Sequence, residues 1–315
     1  MLSFLSATHK VRTPVAEIGY FDDGPADGFP LVLLHGYPDD AQTWDGVVTE
    51  LRAAAPGLRL LRPFQRGCGP SRVTAPDAAS GECAALAQDA FDFVDALGLG
   101  EQRFLLVGHD WGSRALHAAA VLAPERLARA GFVAVGSPYG RPPEWGEGHF
   151  QQARSFWYQW WFQQAAGRAA LEKDAGGLAD FLWRMWSPTW QFDPAELAAV
   201  TPSFLNPQYV DTVLHSYRHR WGNAPSCPRY DAASARVQSN PPIPVPATFI
   251  AGAADACTPP ALYRENQALY AAGVRWVELP EVGHFPQREA PTAVAREILE
   301  HLRERGLEVF ARAGE

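Results

Sequence analysis

An α/β architecture with a mainly parallel sheet, interrupted by an all-helical insertion, follows from three features of the 315-residue sequence. Short apolar runs alternate with helical segments near both ends of the chain, the pattern of a parallel sheet covered on both faces. Between these regions the pattern turns helical, broken by prolines and crowded with tryptophan. Finally, one strand–helix junction carries Gly108-His109-Asp110-Trp111-Gly112, a Gly-x-Asp-x-Gly elbow that holds a side chain above the end of a strand.

In order, residues 31–35 and 58–62 read as buried strands and residues 84–96 as a helix. The strand 103–107 enters the elbow, the helix 113–122 leaves it, and a strand follows at 130–135. Late in the chain come a strand at 247–252, a helix at 259–270, a strand at 274–279 and a closing helix at 292–305. Eight of the eleven tryptophans, Trp145, Trp157, Trp160, Trp161, Trp183, Trp186, Trp190 and Trp221, lie in the middle region. The stretch Asn240-Pro241-Pro242-Ile243-Pro244-Val245-Pro246 returns the chain to the sheet. The expected division is a core domain of residues 1–136 and 243–315 and a helical lid of residues 137–242. Most lid rings must be packing, and their density also suits an apolar pocket.

Composition narrows the class. Hydrophobic residues make up 47% of the chain and charged residues 20%, ordinary for a globular protein. No apolar run approaches the roughly 18 residues of a membrane span. Residues 1–10 lack the features of a secretory signal. Cys68, Cys83, Cys227 and Cys257 are scattered without a CxxC pair, which reads as reduced thiols in a cytoplasmic protein. A net charge of -8 argues against nucleic acid or an anionic membrane as partner. Of 27 basic residues only Lys10 and Lys173 are lysines, which with the alanine richness hints at a bacterial genome.

The elbow carboxylate carries the chemistry. Side chains at Gly108 or Gly112 would collide in so sharp a turn. A serine at position 110 would need a base, whereas Asp110 is ionised at neutral pH. It suits attack on a saturated carbon bearing a leaving group, forming an alkyl ester. The plainer alternative is a helix-capping aspartate. Three further elements converge on it. The loop His35-Gly36-Tyr37-Pro38-Asp39-Asp40 follows a strand, and the Tyr37 and Trp111 N–H groups would form an oxyanion hole. His284, in Gly283-His284-Phe285, could take a proton from water in a second step. Asp255, past the strand 247–252, would hold the His284 ring or else cap a turn. Among other histidines, His301 is expected at the surface, His117 packed, and His35 and His109 as loop-structuring residues.

The His-Gly-x-Pro loop, the Gly-His-Asp-Trp-Gly elbow, the late Asp and the Gly-His-Phe segment together resemble the Asp-nucleophile branch of the α/β-hydrolases, most closely soluble epoxide hydrolases. The chain order nucleophile, acid, histidine is that of the α/β-hydrolase fold. The resemblance covers nearly the whole chain. The lid segment Tyr158-Gln159-Trp160-Trp161-Phe162-Gln163 resembles the one carrying the first ring-opening tyrosine of that family. His215-Ser216-Tyr217-Arg218-His219-Arg220-Trp221 resembles the one carrying the second. The resemblance therefore implies Tyr158 and Tyr217 as proton donors, with substrate contacts at His35, Pro38, Trp111 and Trp161. An opening epoxide leaves as a strong base and profits from a phenol of pKa about 10, whereas halide does not.

The other expectation is a haloalkane or haloacid dehalogenase using the same Asp110. Haloalkane dehalogenases usually have Asn at the position of Tyr37. Fluoroacetate dehalogenases usually have Arg where this chain has Trp111 and a lid histidine where it has Gln159; Arg114 remains in common. Phe64-Gln65-Arg66-Gly67-Cys68-Gly69 varies the Asp-x-Arg-Gly-x-Gly usual in epoxide hydrolases. The expected activity is hydrolysis of a small apolar epoxide by water to a diol, without metal or organic cofactor, by a monomer or homodimer. A non-catalytic ligand receptor is the remaining alternative.

Overall fold

The computed structural model describes residues 9–136, 150–264 and 266–307. Within these, β1 (His9–Arg12), β2 (Ala16–Asp23), β3 (Phe29–Leu34), β4 (Leu58–Pro63), β5 (Arg72–Val73), β6 (Leu105–His109), β7 (Phe132–Val135), β8 (Ala247–Gly252) and β9 (Val274–Leu279) form one sheet. The order is β1-β2-β4-β3-β6-β7-β8-β9, with β5 on β2. Neighbours from β4 to β9 run parallel, whereas β1, β2 and β5 are antiparallel. Helices α1 (Asp45–Ala54), α2 (Cys83–Ala96), α3 (Trp111–Leu122) and α4 (Pro124–Leu127) precede β7. Between β7 and β8 the described residues form helices and turns: α5 (Phe150–Ser155), α6 (Trp157–Trp161), α7 (Ala165–Trp186), α8 (Pro194–Val200), α9 (Tyr209–Arg220) and α10 (Asp231–Gln238). Helices α11 (Pro260–Arg264), α12 (Pro286–Glu289) and α13 (Pro291–Glu304) follow β8.

The parallel strands read as continuous apolar runs because both faces are covered. On β3, Leu31 and Leu33 join the layer containing Leu51 of α1 and Ile298 of α13. Val32 and Leu34 join the opposite layer with Phe93 of α2 and Leu116 of α3. Parallel strands all end on one edge, so the loops after β3, β6, β8 and β9 meet there, where ligands bind in open α/β sheets.

Polar contacts stitch the helical insertion across that edge. Arg288 forks onto Asp39 with two bonds of 2.7 Å and reaches Glu196 of α8 at 3.3 Å. Trp183 Nε1 donates to the Pro38 carbonyl at 3.0 Å, and Ser203 Oγ donates to Asp40 at 2.6 Å. Burial first, then the neighbouring Asp39, pushes the Asp40 carboxyl up to about 7, the protonation-prone end of this seam. Arg66, whose side chain is fully buried, donates to Asp89 of α2 at 2.6 and 2.7 Å and to the Ala78 and Ser80 carbonyls. It also meets Tyr230, beside α10, at 3.2 Å.

Several expectations need correction. The antiparallel ribbon β1–β2 and helix α1 were not anticipated, although Ala16, Ile18 and Tyr20 alternate into the core. The expected helix 259–270 is shorter: α11 ends at Arg264, and a separate 3₁₀ turn spans Gln267–Leu269. The Leu269 carbonyl there accepts from Ile243 N at 2.6 Å, which ties this separate turn to the segment that returns the chain to the sheet. His301 is buried, not at the surface. Its Nε2 donates to the Ala130 carbonyl at 2.7 Å and its Nδ1 lies 2.9 Å from Thr248 Oγ1. Burial pushes its pKa down to about 3, so the ring is a neutral core bridge. Trp145, the boundary at residue 137 and residues 1–8 lie outside the described residues. Among the described residues no helix is long and apolar enough to cross a membrane.

Replacing Arg66 by Met would leave Asp89 buried without its cation. Breaking a buried pair costs about 3–5 kcal/mol, so the urea midpoint of Arg66→Met should fall sharply at unchanged slope. A midpoint within error of wild type would contradict the role given to this pair.

Candidate active site

Asp110 sits between β6 and α3 with φ 47° and ψ -105°, a positive-φ conformation outside the regions that non-glycine residues ordinarily adopt and therefore strained. The turn is possible only because its neighbours lack side chains. A Cβ on Gly108 would lie 2.5 Å from the Gly112 carbonyl carbon, and one on Gly112 would lie 2.3 Å from the Leu34 carbonyl oxygen. A Cβ on Gly36 would lie 2.5 Å from the Asp110 Cβ. That close approach lets Tyr37 N donate to Asp110 Oδ1 at 2.9 Å. The other oxygen, Oδ2, lies 3.6 Å from Arg114 on the next turn of α3. Burial alone would push the carboxyl up, but Arg114, His284, His109 and the Tyr37 N–H hold it below the usual range. Asp110 is therefore a buried, ionised carboxylate, and no capping bond from its side chain to α3 is formed.

His284 follows β9, and its Nδ1 lies 2.9 Å from Asp255 Oδ2, beyond β8. The other Asp255 oxygen accepts from Cys257 N at 2.7 Å and Thr258 N at 2.9 Å. The two expectations for Asp255, orienting the histidine and capping a turn, thus hold together: one oxygen serves each. Burial disfavours the charged His284 ring, but Asp255 outweighs it, with Asp110 and Glu289 adding, so the pKa lies above that of an ordinary histidine. Glu289 holds the loop by accepting from Gly283 N at 2.7 Å and Phe285 N at 3.0 Å. Among the described residues His284 Nε2 has no hydrogen-bond partner.

Two tyrosines of the helical insertion complete the cluster. Tyr158 on α6 and Tyr217 on α9 are both buried, their rings 5.3 Å apart and near perpendicular. Trp111 Nε1 donates to the Tyr217 hydroxyl at 3.2 Å. Gln159 Nε2 donates to the Tyr158 hydroxyl at 2.8 Å. Burial pushes both phenols above their ordinary range, so each keeps its proton. The Tyr37 ring stacks on Trp111 and on Tyr158, at 5.6 and 6.2 Å.

The structure brings Asp110, His284, Asp255, Tyr37, Trp111, Tyr158 and Tyr217 to one edge of the sheet. The other expected contacts are placed differently. His35 is occupied with its own loop: Nδ1 donates to the Gly36 carbonyl at 3.0 Å and Nε2 accepts from Gln65 N at 2.9 Å. In the variant Phe64–Gly69 segment the Gln65 side chain also donates to the His35 carbonyl. Pro38 offers its carbonyl to Trp183, and half-buried Trp161 packs on Trp157 at 5.6 Å. Trp186 was not singled out among the lid tryptophans, yet its ring lies 4.9 Å from His284 and 5.2 Å from Tyr158. Nothing in its sequence context distinguishes it from Trp183 or Trp190. His109 donates to the His284 carbonyl at 2.9 Å and, with burial pushing its pKa to about 4, braces the histidine loop as a neutral ring.

The family described as alpha/beta hydrolase fold matches residues 30–291. The chain is 29% identical to an epoxide hydrolase of Caballeronia sordidicola over 94% of this chain and 92% of that one. It is 27% identical to epoxide hydrolase A of Mycobacterium tuberculosis over 94% and 95% of the two chains. A crystal structure from Klebsiella pneumoniae described as "a putative epoxide hydrolase" matches with a TM-score of 0.86 and 31% identity, covering 95% of this chain and 98% of that one. A fluoroacetate dehalogenase of Burkholderia is 30% identical over 62% of each chain.

The His284–Asp255 pair gives a signed pH prediction. Its raised folded pKa means that the protonated ring is stabilised; the pair's contribution is complete below about pH 6.5, the ordinary value, and is lost as pH rises through the folded midpoint. In Asp255→Asn the burial remains and the carboxylate charge does not, so the His284 midpoint, followed by NMR, should fall. An unmoved midpoint would contradict Asp255 as the cause.

Proposed function

The chain belongs to the alpha/beta hydrolase fold family, and from that premise we propose that it hydrolyses an epoxide to a vicinal diol through an ester on Asp110. The observation that carries this reading is the phenol pair Tyr158–Tyr217, two buried proton donors facing the same cluster as an ionised carboxylate. A halide leaves as a weak base and needs no proton; an alkoxide leaves as a strong base and does. The epoxide hydrolases that resemble the chain along most of its length support the same reading. The insertion, residues 137–242, acts as the lid, and its rings enclose the apolar body of the substrate.

In the first step Asp110 Oδ2 attacks an epoxide carbon, the carbon–oxygen bond breaks, and a tyrosine gives its proton to the leaving oxygen. Asp110 Oδ1, already held by the Tyr37 N–H at 2.9 Å, becomes the ester carbonyl oxygen. In the second step His284 Nε2 takes a proton from water, whose oxygen attacks the ester carbon. The negative charge that develops on Oδ1 rests on the Tyr37 N–H, with the Trp111 N–H as second donor. Collapse expels the diol oxygen, which takes the proton from His284. The acid proton left on Asp110 returns the tyrosinate to its neutral form. Asp255 keeps the ring in the tautomer with Nε2 free to accept.

A dehalogenase reading is favoured by the partial likeness to the fluoroacetate enzyme and by Arg114 beside the nucleophile. Against it, the Trp111 indole N–H is already engaged with Tyr217. Incubation with styrene oxide, a chloroalkane and fluoroacetate, scoring diol and halide, separates the two. Loss of one such donor typically costs about 2.7–4 kcal/mol, roughly 10²–10³ in rate. Tyr158→Phe and Tyr217→Phe should each slow ester formation in single-turnover experiments, and the double variant should nearly stop it. Halide release with near-wild-type ester formation in the double variant would replace this proposal with the dehalogenase one.

A further inference from the structure

We propose that Gln159 is a positioning residue that aims the Tyr158 proton at the substrate oxygen; this rests on the epoxide reading above. Two groups beside the phenols can only donate. Trp221 Nε1, an indole N–H with no acceptor capacity, lies 3.0 Å from Gln159 Oε1. That contact fixes the orientation of the amide, because a flipped Gln159 would set N–H against N–H. The amide nitrogen must therefore face Tyr158, where it lies 2.8 Å from the hydroxyl oxygen. Gln159 is fully buried, so no water competes for either end. Its backbone carbonyl, in turn, accepts from Gln163 Nε2 at 2.7 Å.

The consequence falls on the phenol. Tyr158 oxygen is obliged to accept from Gln159, so its own proton must point to some other acceptor. Tyr217 stands in the same position, because Trp111 Nε1 is likewise donor-only and lies 3.2 Å from its hydroxyl. Each phenol oxygen thus already accepts from a fixed donor, and each phenol proton is left for another acceptor. An oxygen acceptor entering the cluster can then receive both. As negative charge passes to the phenol oxygen during ring opening, the amide N–H and the indole N–H also stabilise it. All of the effect of Gln159 passes through Tyr158.

Two variants of nearly the same size separate this role from simple packing. Gln159→Met removes the donor and should slow ester formation about tenfold, the usual worth of one buried hydrogen bond. Gln159→Glu keeps the acceptor for Trp221 but replaces the donor by a second acceptor, which captures the Tyr158 proton. It should slow ester formation as much as Tyr158→Phe, roughly 10²-fold. In the Tyr158→Phe background neither change should cost anything further, because the group it acts through is gone. Hydrolysis of the preformed ester should be unaffected throughout. Equal effects of Met and Glu, or full additivity with Tyr158→Phe, would overturn the proposal. A wild-type rate in Tyr158→Phe alone would instead overturn the epoxide reading on which it rests.

Discussion

The turn at Asp110 is the constraint on which the site depends. A non-glycine residue at φ 47° costs on the order of 1–3 kcal/mol, and three glycines must stand around it. Gly108 and Gly112 let α3 start directly on the end of β6, and Gly36 lets the loop after β3 press on the Asp110 side chain. Because β3 and β6 are adjacent and parallel, with Leu34 opposite Gly108, the Tyr37 N–H arrives at Asp110 Oδ1 without any further adjustment. Sheet register, glycine placement and the charge on the nucleophile are thus one device.

The charges buried around this turn are arranged in compensated sets. Asp110 faces Arg114, Asp255 faces His284, and Asp39 faces Arg288. The last pair is remote from the chemistry but ties α12, which follows the His284 loop, to the loop that carries Tyr37. Glu289 and Ser187 secure the same histidine loop from the other side, through Gly283 N, Phe285 N and His284 N. An isolated buried ion would be costly. Here each ion is also a positional tie, so rigidity of the site and satisfaction of its charges come from the same contacts.

Legibility in the sequence followed burial geometry. The central strands were readable because they are apolar on both faces, and β8 falls at the expected 247–252; β9, a partly buried edge strand, falls at the expected 274–279 through its β-branched and aromatic residues. The ribbon β1–β2 was not readable, since it is half-exposed at an edge and carries a mixed pattern. His301 shows a different failure. Its neighbours on α13 mix apolar Ile298, Leu299 and Leu302 with charged Glu300 and Arg303, and the tertiary partners Thr248 and Ala130 make its burial tolerable. In the site, residues fixed by backbone position stood out through their glycines. Trp186 and the Trp221 contact that orients the Gln159 amide depend on segments distant in sequence, and no local spacing encodes those.

The central claim is that the oxygen delivered to the substrate comes from Asp110 and that water replaces it. A single turnover of styrene oxide with excess protein in ¹⁸O-labelled water tests this most directly, with mass spectrometry of both the diol and the peptide containing Asp110. The account predicts label in the Asp110 carboxylate and none in the diol of that first turnover. Label in the diol with an unlabelled Asp110 would mean direct attack by water and would contradict it.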